Sequence, residues 1–272
     1  MAITRAEFEV VRALVRAEAG IVLEPGKEYL VEARLSPLAR REQLPSTAAL
    51  IAQLAGSRGA LHARVVEAMT TNETTFFRDV EPFEVLRTNV LPGLVAARQA
   101  TRRLHIWCGA SSTGQEAFSI AMTVLDVPEL AAWTIDILAT DISSDVLARA
   151  RTARYSQLEV NRGLPATQLA KHFEKDGADW QVRPAVRAMV RFDYLNLMKP
   201  LPPLPAPDVV FLRNVLIYFD PSDKRTILDR IRRCMRPDGF LFLGAAETTR
   251  NLDDRFERVP FSRTSCYRIA GR

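Results

Sequence analysis

The feature of this sequence that most restricts its fold is an alternation of short apolar runs with amphipathic segments between residues 104 and 245. Segments such as "STGQEAFSIAMTVL" and "DPSDKRTILDRIRRCM", which have helical periodicity, separate most of these runs. Strands that alternate with helices predict βαβ units and a parallel sheet. The apolar runs are "LHIWC" (104–108), "TIDILAT" (134–140), "MVRFDYL" (189–195), "PDVVFLR" (207–213) and "GFLFLGA" (239–245).

Three segments fall outside this alternation. The end of the chain, "RFERVPFSRTSCYRIA", predicts an antiparallel pair of strands that closes the sheet. Residues 156–189 include an Asp-Gly pair at 176–177, which is typical of a hairpin turn and predicts a small β insertion. The first 70 residues have helical patterns, with an apolar face from Phe8 to Val15 and an N-cap at Ser46. We therefore predict a helical N-terminal domain (1–70), a linker or helix that contributes to the site (71–92) and an α/β domain (93–272).

The composition excludes several classes of protein. With 272 residues, 47% hydrophobic and 25% charged, the chain is typical of a globular protein. No apolar run approaches the roughly 18 residues of a membrane span, and the N-terminus lacks the apolar core of a signal peptide. Cys108, Cys234 and Cys266 are scattered, so we expect reduced thiols in a cytoplasmic protein and no metal site. The net charge of +5 leaves nucleic acid, an acidic protein partner and an Arg-rich genome open as explanations.

The turn after the first predicted strand constrains the ligand. Gly109 and Gly114 have the spacing of a phosphate-binding P-loop, but Gln115 and Glu116 follow where that loop has Lys and Ser or Thr. The two glycines would let the backbone approach a ligand closely. Because Glu116 would repel a triphosphate, the loop favours a cation or a ligand with hydroxyl and amine groups. A plain strand-to-helix turn, with Glu116 stabilised by the helix dipole, is the alternative.

Other polar side chains follow later predicted strands. Asp141 comes directly after the second strand, where a carboxylate commonly binds a ribose diol. Together with a loop that does not suit phosphate, it predicts a nucleoside cofactor without pyrophosphate, S-adenosylmethionine before NAD. Arg213, Asn214 and Tyr218 follow another strand and should lie at the same edge. Helix capping by Asp141 and a core position for Tyr218 remain open as alternatives.

The segment "TTNETTFFRD" (70–79) lies outside the strand pattern and offers polar anchors beside two phenylalanines. Asn72, Thr74 and Arg78 in this position could line a half-buried ligand site, whereas a capping segment between two domains is the alternative.

Taken together, these stretches resemble one known family. "TTNETTFFRD", "WCGASSTGQEAFSIAM", "ATDISSDVLARAR", "NLM", "FLRNVLIYFD" and "MRPDGFLFLGAAE" occur in the order seen in the CheR family of chemotaxis receptor glutamate O-methyltransferases. The resemblance covers essentially the whole chain. It implies an α/β fold: a Rossmann-like class I S-adenosylmethionine methyltransferase domain with a small β insertion, preceded by a small all-α N-terminal domain.

The resemblance also implies a reaction and its residues. A methyl group passes from S-adenosylmethionine to glutamate side chains on the cytoplasmic helices of chemoreceptors, which leaves S-adenosylhomocysteine and a glutamyl methyl ester. Arg78 and Tyr218 would lie near the methyl transfer, and Arg34, Arg40 and Arg41 would face the receptor helices. The residues that would contact the cofactor are Asn72, Thr74, Arg78, Glu116, Asp141, Asn196, Leu197, Arg213 and Asn214, to which the glycine turn adds Gly109.

Alternatives and departures from the family remain. A non-catalytic adaptor that binds S-adenosylmethionine would keep the same residues. A nucleic-acid methyltransferase fits the basic charge, but "RNVLIYF" stands where an N/D-P-P-Y/F signature would be. The short segment "FEKDGADWQVRP" predicts that the enzyme does not depend on a receptor-tail pentapeptide. Ala245 and Ala246 replace a polar pair that many members have before Glu247.

Overall fold

The computed structural model describes residues 3–54, 56, 59–261 and 264–271. The helices are α1 (Arg5–Ala19), α2 (Glu28–Arg41), α3 (Thr47–Leu54), α4 (Ala60–Met69), α5 (Glu81–Val85), α6 (Leu91–Ala97), α7 (Gln115–Leu125), α8 (Ser144–Thr152), α9 (Gln157–Asn161), α10 (Ala166–His172), α11 (Pro184–Arg187) and α12 (Pro221–Cys234). A π-helical turn (Leu86–Val90) joins α5 to α6, and 3-10 turns lie at Pro128–Leu130 and Leu216–Tyr218. The strands are β1 (Arg103–Gly109), β2 (Thr134–Asp141), β3 (Arg154–Ser156), β4 (Phe173–Asp176), β5 (Asp179–Val182), β6 (Val190–Tyr194), β7 (Val209–Leu212), β8 (Phe240–Leu243), β9 (Phe256–Pro260) and β10 (Ser265–Ile269).

Helices α1 to α4 pack around a core of their own, in which Phe8, Val11, Leu35 and Leu50 are fully buried. The sequence dictates where α1 begins, because Thr4 and Glu7 form a reciprocal capping box before the first turn. Helix α2 continues through Pro37. None of the helices in the described part of the chain is long and apolar enough to cross a membrane.

The large sheet has seven strands in the order β6-β2-β1-β7-β8-β10-β9. The pairs β1–β2, β1–β7, β2–β6 and β7–β8 are parallel, and β10 is antiparallel to both β8 and β9. This confirms the predicted parallel sheet and the predicted antiparallel pair at its end. The strand order reverses between β1 and β7, and such a switch point places a ligand crevice at the carboxyl ends of the strands.

The β insertion is a separate sheet of three strands in the order β3-β5-β4. Its hairpin turns at Gly177, as the Asp-Gly pair predicts. The insertion begins with β3 at Arg154 and contains α9, α10 and α11 as well as strands, so it is more helical than predicted. Its Tyr155 hydroxyl donates to the Thr113 carbonyl at 2.7 Å, which fixes the insertion against the turn after β1.

The end of α1 lies directly against the sheet domain. A side chain at Gly20 would collide with Met198 and Phe219, so only glycine permits this approach. The Asn196 side chain donates to the Glu18 carbonyl at 2.7 Å, and the Val22 amide donates to the Tyr218 carbonyl at 2.9 Å. The N-terminal helices therefore reach the edge of the sheet where the polar strand ends meet.

The predicted domain boundaries at residues 70 and 92 stay predictions. The second falls inside a helical run from Glu81 to Ala97, formed by α5, the π turn and α6.

Candidate functional site

A cleft lies at the carboxyl ends of β1, β2, β6 and β7, with an empty volume of about 1060 Å³, part of which is open to solvent. The loops after these four strands, the segment 70–78 and the end of α1 form its walls. The predicted site residues that line it are Asn72, Thr74, Arg78, Glu116, Asp141, Asn196, Leu197, Arg213, Asn214 and Tyr218. Residues from distant parts of the sequence therefore meet at one site, as the parallel sheet requires.

Gly109 is the predicted cofactor residue that the structure does not place among the described residues lining this cleft. A Cβ atom at Gly109 would lie 2.8 Å from Leu212 of β7, and one at Gly114 would lie 3.0 Å from both Tyr155 and Phe192. Both glycines therefore make room for neighbouring protein side chains. Ala110 and Ser112 line the cleft instead, with φ values of 55° and 50°. The alternative of a tight strand-to-helix turn describes the glycines better than close approach to a ligand.

Asp141 stands at the end of β2 and is buried. Its two oxygens accept hydrogen bonds from the backbone amides of Ser112, at 2.8 Å, and Ser143, at 2.9 Å. Burial raises the pKa of the carboxyl group, and these amide hydrogen bonds oppose the shift. Each carboxylate oxygen can accept a further hydrogen bond, so Asp141 can receive two hydroxyl groups from a ligand in the cleft.

Glu116 lies in the first turn of α7 and is held by Arg213. The Arg213 Nη1 atom donates to Glu116 Oε2 at 2.7 Å, and the Cys108 thiol approaches Glu116 Oε1 at 3.4 Å. Burial raises the pKa of Cys108 well above its usual value, so the thiol keeps the proton that it donates. The alternative in which Glu116 only caps the turn is incomplete, because Glu116 also lines the cleft.

Arg213 is fixed on its other side as well. Its side chain is 1% exposed, and Nη2 donates to Asp79 Oδ2 at 2.6 Å and to the Arg78 carbonyl at 3.0 Å. The Nε atom has no hydrogen-bond partner within the described part of the protein. A buried guanidinium NH group without a partner fits a site that a polar ligand completes.

The segment 70–80 is anchored at several points. The Ser112 hydroxyl donates to the Asn72 carbonyl at 2.7 Å, and the Phe77 amide donates to the Ser119 hydroxyl at 2.9 Å. Phe77, Asp79 and Val80 have φ values of 46°, 66° and 44°, a region that non-glycine residues rarely adopt. Arg78 stands between these strained positions at the wall of the cleft.

The three predicted receptor-binding arginines have different surroundings. Arg34 is half-buried and donates to the Met69 carbonyl and to the Thr71 hydroxyl, so it supports the segment at the cleft wall. Burial lowers the pKa of Arg34, an effect that the nearby Tyr218 opposes. Arg40 and Arg41 are exposed at the end of α2, and Arg41 lies 3.5 Å from Asp145 of α8. Only Arg40 and Arg41 are thus freely presented to solvent.

Sequence reasoning missed several residues of the cleft. Ala19 and Ile21 line it from the N-terminal helices, and Ser112 and Ile142 line it beside predicted residues. Ile142 directly follows β2 and Ser112 lies three residues after the end of β1, so their position near strand ends is a usable signal. Ala19 and Ile21 had none, because their place depends on how α1 packs against the sheet domain.

The chemistry of the cleft suits a phosphate-free nucleoside ligand with a positive charge. Its acidic groups include Glu116 and Asp141, and its arginines, Arg78 and Arg213, are accompanied by no lysine among the described lining residues. Apolar contacts come from residues such as Ile142 and Val215. The described residues contain no cluster of three or more His, Cys, Asp or Glu that could hold a metal ion.

Comparisons with known proteins agree with this chemistry. Two family models match: "CheR methyltransferase, all-alpha domain" over residues 6–70 and "CheR methyltransferase, SAM binding domain" over residues 72–265. Chemotaxis protein methyltransferase 1 of Pseudomonas aeruginosa is 41% identical, over 98% of this chain and 99% of that protein. Chemotaxis protein methyltransferase Cher2 of Pseudomonas putida is 38% identical, over 94% and 95%. The chemotaxis protein methyltransferase of Vibrio parahaemolyticus is 39% identical, over 93% of each chain.

Proposed function

The chain belongs to the CheR methyltransferase family and is an S-adenosylmethionine-dependent methyltransferase, and from this premise we propose that it methylates glutamate side chains on the cytoplasmic helices of chemoreceptors. The observation that carries the choice of acceptor is the set of side chains around the cleft. The described lining residues include no His, Cys or Lys. Their carboxylates are all engaged: Glu116 with Arg213, Asp141 with backbone amides, and Glu73 with Arg162 at 3.1 Å. A carboxylate acceptor needs no general base, because it is already ionised at neutral pH.

S-adenosylmethionine supplies a methyl group on a positively charged sulfur. The glutamate oxygen forms a new O–C bond to this methyl group as the C–S bond breaks, which gives the glutamyl methyl ester and S-adenosylhomocysteine. For the protein, the task is to exclude water and align the acceptor. We assign Asp141 to the ribose hydroxyls, and Glu116, held by Arg213, to the ammonium group. The other proposed cofactor contacts are Asn72, Thr74, Arg78, Asn196, Leu197, Arg213 and Asn214.

Arg78 and Tyr218 are the proposed residues beside the reacting atoms, since both line the cleft. The guanidinium group of Arg78 can pair with an anionic acceptor through two parallel hydrogen bonds. The Tyr218 hydroxyl can orient the acceptor oxygen. We propose that Arg34, Arg40 and Arg41 contribute to binding of acidic receptor helices, Arg34 by supporting the cleft wall and the other two from the surface. This substrate would place the enzyme in the cytoplasm.

A transfer assay tests this function. Purified protein is incubated with tritium-methyl S-adenosylmethionine and a panel of receptor signalling domains. We expect label on at least one receptor, released as methanol by mild base, since glutamyl methyl esters are base-labile. A matched receptor fragment with its helix glutamates changed to alanine should stay unlabelled. If the protein binds S-adenosylhomocysteine but labels no receptor, the proposed acceptor is rejected.

We also propose that the enzyme acts without a receptor-tail pentapeptide. The hairpin between β4 and β5 is closed by Gly177 and Ala178 alone, which leaves a short loop for peptide docking. Calorimetry with an isolated receptor-tail peptide should give no measurable heat, and tight binding would reject this proposal.

Likewise, oligonucleotides should show no salt-dependent binding if nucleic acid is not a substrate.

A further inference from the structure

Glu247 makes an unusual set of contacts just after β8. Its carboxylate accepts backbone hydrogen bonds from Gly244 at 2.6 Å, Asn214 at 2.8 Å, Val215 at 2.8 Å and Ile217 at 3.3 Å. The side chain is buried, with 9% of the residue exposed. Consecutive amides that converge on one anion form a nest, and here the anion belongs to the protein itself.

Three of the four donors belong to the loop after β7, which leads from the cleft residue Asn214 to the cleft residue Tyr218. Strands β7 and β8 are parallel neighbours, with Leu212 opposite Leu243, so the two loops that follow them lie side by side. Asn214 has a φ of 58°, a conformation that directs successive amides toward one point. Without the carboxylate these amides would lack an acceptor, which is costly for buried backbone groups.

Gly244 supports the same arrangement independently. A Cβ atom there would lie 2.7 Å from both the Asn214 Nδ2 and Glu247 Oε2 atoms and 2.9 Å from the Asn214 amide nitrogen. Only glycine therefore permits this contact between the two loops. Ala245 and Ala246 are exposed, so replacement of the polar pair leaves the contact intact.

We propose that Glu247 is a positioning residue for methyl transfer: its carboxylate fixes the loop 214–218 and thereby places Asn214 and Tyr218 at the cleft. Glu247 does not belong to the described residues that line the cleft, so it acts through the loop and not on the cofactor. This role adds to the proposed function. Its claim that the placement of Tyr218 matters for methyl transfer rests on that function.

The test compares Glu247→Gln with Ala245→Ser, an exposed neighbour in the same turn. Glutamine has the same shape but turns an NH₂ group toward the amide donors. We expect the affinity of E247Q for S-adenosylhomocysteine, measured by calorimetry on folded protein, to fall about tenfold or more. The turnover number should fall while the KM for the receptor changes little. A245S should match the wild type in both measurements.

Two further variants separate positioning from simple stability. Gly244→Ala keeps the carboxylate but forces it away from Asn214, and Glu247→Asp keeps the charge but shortens its reach. Reduced cofactor affinity in whichever of the three variants folds supports the proposal. Wild-type affinity together with a lowered melting temperature overturns it, as does loss of folding in all three, since Glu247 would then be needed for the fold as a whole. Because calorimetry needs no receptor, failure of the wild type to methylate glutamate would reject the proposed function without affecting this result.

Discussion

Arg213 and Glu116 form a buried ion pair, with 2.7 Å between Nη1 and Oε2, and the same guanidinium group reaches Asp79 at 2.6 Å. One side chain from the end of β7 thus joins the start of α7 to the strained turn around Arg78. These contacts involve two acidic partners at once, which the planar fork of arginine can satisfy and the point charge of lysine cannot. The positions of Glu116 and Arg78 at the cleft therefore depend on Arg213.

We expect Arg213→Lys to destabilise the protein and to weaken cofactor binding. Lysine cannot donate to both carboxylates. Loss of the partner of the buried Glu116 typically costs about 3 kcal/mol of unfolding free energy, whereas Asp79 is 44% exposed and its pairing contributes little. Urea denaturation measures the stability, and calorimetry with S-adenosylhomocysteine measures the affinity of the folded protein.

The control for this substitution is Arg41→Lys. Arg41 lies 3.5 Å from Asp145, and both side chains are more than half exposed. Such surface pairs contribute less than about 1 kcal/mol, so R41K should resemble the wild type. Equal losses in R213K and R41K would contradict the importance that we give to the buried pair.

Asp141 should make cofactor binding depend on pH. Burial raises the pKa of its carboxyl group, an effect increased by the charge of Glu67 and opposed by amide hydrogen bonds from Ser143 and Ser112. The ionised form accepts both ribose hydroxyls, so affinity is full above this raised pKa and falls as the pH drops through it. The loss should begin at a higher pH than an ordinary aspartate would give.

Calorimetry at several pH values, with wild type and Asp141→Asn, checks this expectation. The asparagine variant does not titrate at this position and places an NH₂ group against a backbone amide, so its affinity should be lower by about tenfold or more at neutral pH. It should also lose part of the pH dependence at acidic pH. An identical pH profile in both proteins would assign the dependence to another group.

Arg16 is expected to couple the N-terminal helices to the start of α12, which follows the loop 214–218. It pairs with Asp220 and Asp223, which follow Tyr218 in the sequence and begin α12. Arg16→Ala should loosen the cleft wall formed by Ala19 and Ile21, which reduces cofactor affinity, with a smaller effect at high salt. The double variant with Asp223→Ala should be no worse than R16A alone, because the two residues act as a pair.

Arg12→Ala provides the matched comparison for R16A. Arg12 lies on the same helix and pairs at 3.2 Å with Glu9, one turn away, so the contact does not leave α1. R12A should leave cofactor affinity unchanged. If R12A and R16A weaken binding equally, the effect comes from the helix itself and not from its contact with the sheet domain.

The sequence predicted the strands and the cleft residues at their ends because these signals are local. Asp141 follows an apolar run directly, and Arg213 and Asn214 follow another, so the parallel sheet brings them to one edge. The wall formed by Ala19 and Ile21 could not be predicted in this way. Its anchors, such as the hydrogen bond from Asn196 to the Glu18 carbonyl, join positions far apart in the chain.

The glycine turn shows the limit of motif reasoning. The spacing of Gly109 and Gly114 led to the expectation of close ligand approach, but their neighbours Leu212 and Tyr155 come from other elements that no local pattern indicates. Glu247 is a similar case, because its four amide donors become visible only when the loops after β7 and β8 are adjacent. Local patterns thus predicted which residues stand at the strand ends. They could not predict why Gly109, Gly114 and Glu247 are needed, because the contacts of these residues are formed by tertiary packing.

Tyr218 allows the acceptor-orienting role to be separated from cofactor binding. It lines the cleft at the end of the 3-10 turn, and its backbone carbonyl is held by the Val22 amide, so its position does not depend on its own hydroxyl group. Tyr218→Phe should therefore leave affinity for S-adenosylhomocysteine unchanged. Loss of the hydroxyl that aligns the acceptor oxygen should lower the turnover number by about 10- to 100-fold.

Tyr194→Phe is the matched control, since Tyr194 ends β6 and is 55% exposed. The two variants lose the same atom, so any general effect of removing a phenolic hydroxyl group appears in both. Transfer of tritium-labelled methyl groups to a receptor domain, measured under saturating cofactor, compares their turnover numbers directly. Full activity in Y218F would show that the Tyr218 hydroxyl takes no part in the reaction. An acceptor-orienting hydroxyl affects only the transfer step, so a parallel loss of cofactor affinity would instead make Tyr218 a binding residue.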